Sequence, residues 1–375
     1  MQKQRGSALI SALLLMSIVT MLSIGMLSRQ DLEIRRTESI FQQERLLAEA
    51  SWVELWAKGI LQSVANQITP ETDYITLEQI WALPLEAFQR EGLQISGQIY
   101  DLQSLFNINN VLINNVKEEE EEQAAEQENP SQTPQEQQAQ RDAEQKQQEV
   151  EQELTPADFL TDEDLYTPAW MFTRLLENQA TLPAVQSRAL TEALLYWIMP
   201  AETEMDNYYL KLPQPYRPAH QLLWSISELR LVQGVNNEIF SAIQPFISAL
   251  PVNTRVASTA PSGATQGGSE LITVNINTTT PELLAAILKA EVADAKSVLA
   301  SRPYYTQESL QEQLNKIVDK EKGGGNAVSM IGITSKYFLV RAEVQDDRRK
   351  LVQYSILHLN PEEGIKVLKR VQGEL

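Results

Sequence analysis

The chain opens with a short basic leader, Lys3-Gln4-Arg5-Gly6, followed by an uncharged apolar block from Ser7 to Ser28; charge returns at Arg29 and Asp31. At about 1.5 Å per residue, a helix of roughly 22 residues spans about 33 Å, enough to cross a hydrocarbon core of about 30 Å. Beyond it, Leu46, Ala50, Val53, Ala57, Ile60 and Val64 recur at alternating steps of four and three, so the helix is expected to continue as an amphipathic rod. Glu38, Glu44, Arg45, Glu49, Glu54 and Lys58 are expected on its remaining faces, and Trp52 and Trp56 at the edge of the stripe or in the core. Thr69-Pro70-Glu71 ends the rod.

The period then changes. Leu93, Ile95, Gly97 and Ile99 alternate with polar residues, as in a half-buried strand, and Asp101, Asn107 and Asn109 after it suit turn caps. A helical middle follows. Thr155-Pro156-Ala157-Asp158 has the form of a helix start, Thr167–Asn178 and Leu182–Met199 read as Leu- and Ala-rich helices, and Ser225-Ile226-Ser227-Glu228 forms a capping box. Pro261–Ser269 reads as a flexible connector, and Gly323-Gly324-Gly325 as the hinge that leaves this region. Strand alternation returns at Phe338, Val340, Ala342 and Val344, turns at Gln345–Arg348, and continues with Val352, Tyr354, Ile356 and His358 on one face. A shorter third strand starts at Ile365 and Val367, which completes an antiparallel meander. A sheet with one strand before the helices and the rest after them implies an insertion.

Composition narrows the chemistry. The chain has 375 residues with net charge −19 and pI about 4.7, so nucleic acid is an unfavourable partner. It lacks cysteine, which excludes thiolate sites and disulfides, and its only histidines are His220 and His358. No nucleophile, base and orienting group can be assembled from these residues, and the totals read as an anchored, non-enzymatic protein. The run 117–153, dominated by Glu, Gln and Ala, cannot bury enough apolar surface to offset ordering entropy and reads as a solvated acidic loop.

The leader admits a cleaved signal, a plain signal anchor, or a third arrangement in which Gly6 precedes the apolar run. In that third form it resembles the type IV pilin-like family, whose leaders are cut after such a glycine. The resemblance implies processing between Gly6 and Ser7 by a prepilin peptidase, usually with a methyl added to Ser7. The family's usual glutamate at the fifth mature position is here Ser11. In a filament that carboxylate is thought to offset a neighbour's buried ammonium, so a subunit with nothing above it has no need of the charge.

Tyr100–Asn109, Tyr208-Tyr209-Leu210-x-Leu212-Pro213-x-Pro215-Tyr216-Arg217 and Ser227-Glu228-Leu229-Arg230-Leu231-Val232-x-Gly234 are similar to the K family of type II secretion pseudopilins. That resemblance covers most of the chain apart from the acidic run. It implies calcium near the acidic loop 201–210, with Glu202, Glu204, Asp206 and Asn207 as candidate ligands. These are closely spaced oxygen donors of the kind a hard cation requires, although the spacing is not that of an EF-hand, and a solvated loop is the alternative. Val274–Leu284 resembles the opening of a helix-hairpin-helix unit. The hairpin at Lys289–Asp294 has no glycine and two acids, so no phosphate seat is expected there, only a packing unit of the SAM-like insertion known in the family.

The expected fold is α+β: a pilin-like long N-terminal helix and small antiparallel sheet, with a large all-α (SAM-like, helix-hairpin-helix-like) domain inserted after the first strand. Residues 1–6 are expected as leader, 7–28 as the transmembrane part of the spine, and 29–104 as the first part of the pilin-like domain. Residues 105–325 are the inserted domain, and 326–375 the second part of the pilin-like domain. The resemblance implies a minor pseudopilin capping the tip of the secretion pseudopilus. Its partners would be the I- and J-type minor pseudopilins, the prepilin peptidase and the bacterial inner membrane, with the globular part in the periplasm. The alternatives are an uncleaved signal-anchored periplasmic protein and a minor pilin of a type IV pilus.

Overall fold

The computed structural model describes residues 5–69, 72–113, 155–160, 166–199, 205–252, 271–318, 324–361 and 363–373. Helix α1 runs unbroken from Arg5 to Ala65, 61 residues or about 90 Å. Its apolar first part is exposed and long enough to cross a membrane. Within that part the hydroxyls of Ser17, Thr20 and Ser23 donate to the carbonyls of Leu13, Met16 and Val19 at 2.7–2.9 Å, so these polar groups are satisfied inside the helix. In the second part Leu46, Ala50, Val53, Ala57, Leu61 and Val64 are buried. Ile60, expected on this stripe, is only half-buried and Leu61 takes its place. From Ala57 a step of four residues drifts by about 40° and a step of three by about 60°, so the four-step stays nearer the seam. Glu54, expected on an outer face, is buried as well.

Five antiparallel strands cover this stripe in the order β1-β2-β7-β8-β9. They are β1 (Leu85–Arg90), β2 (Leu93–Asp101), β7 (Tyr337–Gln345), β8 (Lys350–Asn360) and β9 (Gly364–Gln372). β1 is an edge strand with a register shift between Leu85 and Phe88, and its burial does not alternate, which hid it from a period-two reading. The helical domain therefore follows the second strand of the sheet, not the first. Ile95 and Ile99 of β2, Phe338, Val340, Ala342 and Val344 of β7, and Leu357 and Leu359 of β8 form one core with α1. On β8 the face toward the spine carries Gln353, Ser355, Leu357 and Leu359, while Val352, Tyr354, Ile356 and His358 turn the other way. Pairing with β7, Phe338 opposite Leu357 and Val340 opposite Ser355, sets this register.

Between β2 and β7 lies the helical domain. Its helices are α2 (Pro156–Phe159), α3 (Pro168–Gln179), α4 (Ala184–Ile198), α5 (Asp206–Leu210), α6 (Asn237–Ile243), α7 (Pro281–Leu288), α8 (Val292–Leu299), α9 (Gln307–Leu314) and α10 (Gly324–Ser329). The expected capping box is present at Ser225 and Glu228; in addition Thr167 accepts from the Trp170 amide and Thr280 from that of Leu283, each followed by proline at the first helical position. The domain has its own core, with Phe106, Phe172, Leu194, Phe240 and Leu284 among its members. Gly324 and Gly325, expected as a hinge, open helix α10 instead; Gly323, the acidic run and the connector 261–269 lie outside the described residues. Two short parallel bridges, β3 (Phe106–Asn107) with β4 (Ile247–Ser248) and β5 (Val274–Asn275) with β6 (Ile331–Gly332), tie each end of the insertion to its middle.

Candidate functional site

Where the sheet hands over to the helical domain, a single buried carboxylate gathers four segments. Asp101 closes β2, and its Oδ1 accepts from the Gln103 amide at 2.8 Å. Its Oδ2 accepts from the hydroxyls of Thr278 (2.6 Å) and Ser335 (2.7 Å) and from Asn275 Nδ2 (3.2 Å). Asn275 Nδ2 also reaches the carbonyl of Ile75, in the segment after the spine, at 3.1 Å. Burial pushes the Asp101 carboxyl above its ordinary value, and the four donors oppose that rise. Gln103 spans the same joint, donating to the Thr273 carbonyl (3.0 Å) and accepting from the Lys336 amide (2.6 Å).

The asparagines that follow act beyond their own turn. Asn107 caps the turn after it, as expected, and its Oδ1 also accepts from the Leu250 amide at 2.9 Å. Asn109 donates to the carbonyls of Leu223 and Leu250 and accepts from the Leu223 amide. Asn110 donates to the Ile272 carbonyl at 2.8 Å. All three are buried. They satisfy irregular backbone inside the domain, a task for which the short amide, donor and acceptor at once, is suited. The sequence signalled only the local caps; the distant partners became visible with the fold.

The spine has its own fastenings. Glu54 accepts from Arg370 Nε (2.6 Å) and Nη2 (2.8 Å) of the edge strand and from the Ser355 hydroxyl (2.7 Å). Nearer the apolar part of α1, Arg349 at the β7–β8 turn donates to the carbonyl and hydroxyl of Ser39, and Arg45 pairs with Glu91 at the β1–β2 turn. The two hairpin tips thus face the apolar end of α1, and the Asp101 end of β2, with the helical domain, lies at the far end.

Of the expected metal ligands, Glu202 and Glu204 lie outside the described residues. Asp206 begins α5; its Oδ2 lies 3.2 Å from His220 Nε2, and its Oδ1 is buried without a hydrogen-bond partner among the described residues. Asn207 is exposed. His220 holds a left-handed backbone (φ 48°), and its Nδ1 lies 2.8 Å from the Met199 carbonyl, so it ties the end of α4 to the start of α5. The geometry leaves Asp206 one oxygen for a cation. Among the described residues no group of three His, Asp or Glu side chains could hold one. Gly6 and Ser7 lie in the first turn of α1. His358 packs against the Tyr337 ring, centroids 4.8 Å apart. In the helical hairpin α7–α8 the turn passes through Lys289 in the left-handed region (φ 52°), and Leu283 to Leu288 are all buried.

With this geometry in place, comparison with known proteins is informative. Residues 104–252 match the family described as type II secretion system (T2SS), protein K. Across 99% of its length the chain is 25% identical to type II secretion system protein K of Aeromonas hydrophila and 26% identical to that of Pectobacterium carotovorum subsp. carotovorum, covering 98% and 97% of those proteins. The fold is similar to a chain in the crystal structure of the GspK-GspI-GspJ complex from the enterotoxigenic Escherichia coli type 2 secretion system. The TM-score is 0.63 at 20% identity, over 91% of this chain and all of the other.

Proposed function

We propose that the chain, similar along nearly its whole length to type II secretion system protein K, caps the tip of the secretion pseudopilus and supports export of folded proteins across the outer membrane. The observation that carries this reading is the split sheet. β2 and β7 are hydrogen-bonded neighbours, Asp101 opposite Phe338, although the whole helical domain lies between them in sequence. A bulky body is thereby mounted on the end of the spine away from the membrane segment. A subunit added above would meet that body, whereas subunits below can pack along the spine.

In this reading the apolar part of α1 anchors the chain once in the bacterial inner membrane, with the globular part in the periplasm. Prepilin peptidase cuts between Gly6 and Ser7. The partners are the I- and J-type minor pseudopilins, as in the E. coli complex. Ser11 in place of glutamate suits a subunit whose spine has no neighbour's terminus to neutralise above it. Calcium, held by Asp206 with Glu202, Glu204 and Asn207, would stiffen the loop at the start of α5. No catalytic step is assigned to the chain.

The N-terminal mass of the protein purified from its own membranes tests the processing. Loss of Met1–Gly6 with a methyl on Ser7 is expected; an intact Met1 overturns the reading. Deleting the chain should strand exported proteins in the periplasm, and unchanged export would refute the capping role.

A further inference from the structure

Between the outer face of the sheet and the helical domain lies a cavity of about 640 Å³, within the range of about 300–1,000 Å³ that small-molecule sites occupy. Leu112, Ile198, Leu223 and Leu250 of the helical domain, all buried, form its floor. Ile356 of β8 and Leu368 of β9 close the sheet side. Trp224, 67% exposed, and the half-buried Lys369 stand at its mouth.

At Leu223 and Leu250 the backbone of that floor is already paired. Asn109 donates to both carbonyls, at 3.0 and 2.9 Å, and accepts from the Leu223 amide at 2.9 Å. Asn107 accepts from the Leu250 amide. Both ring nitrogens of His220, which also lines the space, are engaged with the Met199 carbonyl and with Asp206. A peptide brings an amide donor and acceptor with every residue and would bury them there without partners. An alkyl chain needs none.

The mouth carries one cation. Lys369 Nζ donates to the Trp224 carbonyl at 3.1 Å and lies 5.9 Å from the centre of that ring. An ammonium has three donors, and among the described residues no carboxylate forms an ion pair with this one. Glu228, the acid whose charge it feels, accepts from the Trp224 and Ser225 amides at 2.9 and 3.0 Å. Burial pulls the lysine below its ordinary value, and only Glu228 opposes that fall. One cation beside an acid suits a monoanion. A phosphate monoester, with about 1.5–2 negative charges, exceeds it.

We propose that this cavity binds a free long-chain fatty acid, its alkyl chain against Leu112, Ile198, Leu223, Leu250 and Ile356 and its carboxylate at Lys369. The inference does not depend on the secretion reading: it rests on the cavity and its lysine alone.

The full-length protein in native membranes is incubated with palmitate carrying a photoreactive diazirine in its chain, irradiated, and its labelled peptides are sequenced by mass spectrometry. Labelling in 222–224, 249–251 and at Leu368 is expected, with displacement by unlabelled palmitate. The apolar block 7–28 serves as the internal reference. The matching diazirine alcohol keeps the chain and loses the charge, and should label the cavity about tenfold less, the worth of one charge-assisted hydrogen bond. Lys369→Gln should lower palmitate labelling by a similar factor, and Lys369→Arg should retain it. Ala249→Phe, which fills the cavity, should abolish labelling by both probes. Equal labelling by acid and alcohol, palmitate labelling unmoved by Lys369→Gln, or no label in these peptides overturns the proposal. So does displacement of the probe by an apolar hexapeptide, which would make the cavity a peptide site, or by hexadecyl phosphate more readily than by palmitate.

Discussion

Glu54 of the spine and Arg370 of the edge strand meet in a two-pronged ion pair, Oε2 to Nε at 2.6 Å and Oε1 to Nη2 at 2.8 Å. The glutamate is buried and the arginine is 57% exposed, so the pair closes the rim of the spine–sheet core. Burial by itself would raise the Glu54 pKa, but hydrogen bonds from Arg370 and Ser355 and the charges of Arg370 and Lys58 together hold it below the ordinary 4.5. A carboxyl lowered on folding contributes stability above its unfolded value and loses it as pH falls through the folded one. Acid should therefore loosen spine from sheet below about pH 4.5. Arg370→Met should cost about 1–2 kcal/mol at neutral pH, less than a fully buried pair because of the arginine's exposure. Urea melts of the detergent-solubilised protein at pH 7 and pH 4 would show it; an Arg370→Met protein with unchanged pH dependence would refute this account.

Gly97 of β2 lies directly against Val53 of the spine. A Cβ on Gly97 would lie 2.5 Å from Val53 Cγ1 and 3.6 Å from Leu85. Gly97→Ala is expected to destabilise by about 1–3 kcal/mol through overpacking. Val53→Ala in the same chain should restore part of the loss, a coupling that a double-mutant cycle of melting free energies measures directly.

At the junction, Asp101→Asn places an amide where Thr278, Ser335 and Asn275 all donate. The expected cost is about 1–3 kcal/mol for donors left without an acceptor. Because burial raises the Asp101 pKa above its ordinary 3.8, its share of stability is fullest below that value and declines as pH rises through the raised one. That is the reverse of Glu54. The stability difference between wild type and Asp101→Asn should therefore widen as pH falls, and a difference independent of pH would contradict the assignment.

Calcium at the α5 loop predicts a thermal shift. Calcium at a hundred times its dissociation constant would add about 2.7 kcal/mol. Asp206→Ala should abolish that gain, and Glu202→Ala should reduce it. A melting temperature unmoved by calcium or by chelator would dispose of the metal site.

Ser11→Glu restores the carboxylate usual in filament subunits. A tip subunit should tolerate it, with export close to wild type in a secretion assay. Loss of export would argue against a position at the tip.

Local and periodic features could be read directly along the chain. The uncharged block and the amphipathic stripe after it determine one long helix, because one face must enter an apolar medium and, later, a sheet. Thr167 and the Ser225–Glu228 box mark helical starts, because capping depends on residues within four positions of each other. The inserted position of the helical domain followed from strand alternation interrupted and resumed. Tertiary structure decided what depends on distant partners. β1 has no alternation to betray it and exists by pairing with β2. The face of β8 that meets the spine is polar at Gln353 and Ser355, and which of its two faces that is was decided only by the pairing with β7, which set the register. Glu54 looked like a surface charge because its counterion, Arg370, lies on the last strand. Asp101 and the asparagines after it looked like turn caps; the asparagines also hold distant backbone inside the helical domain, and Asp101 joins that domain to the sheet, since Thr278 and Ser335 reach it only after the insertion has folded back.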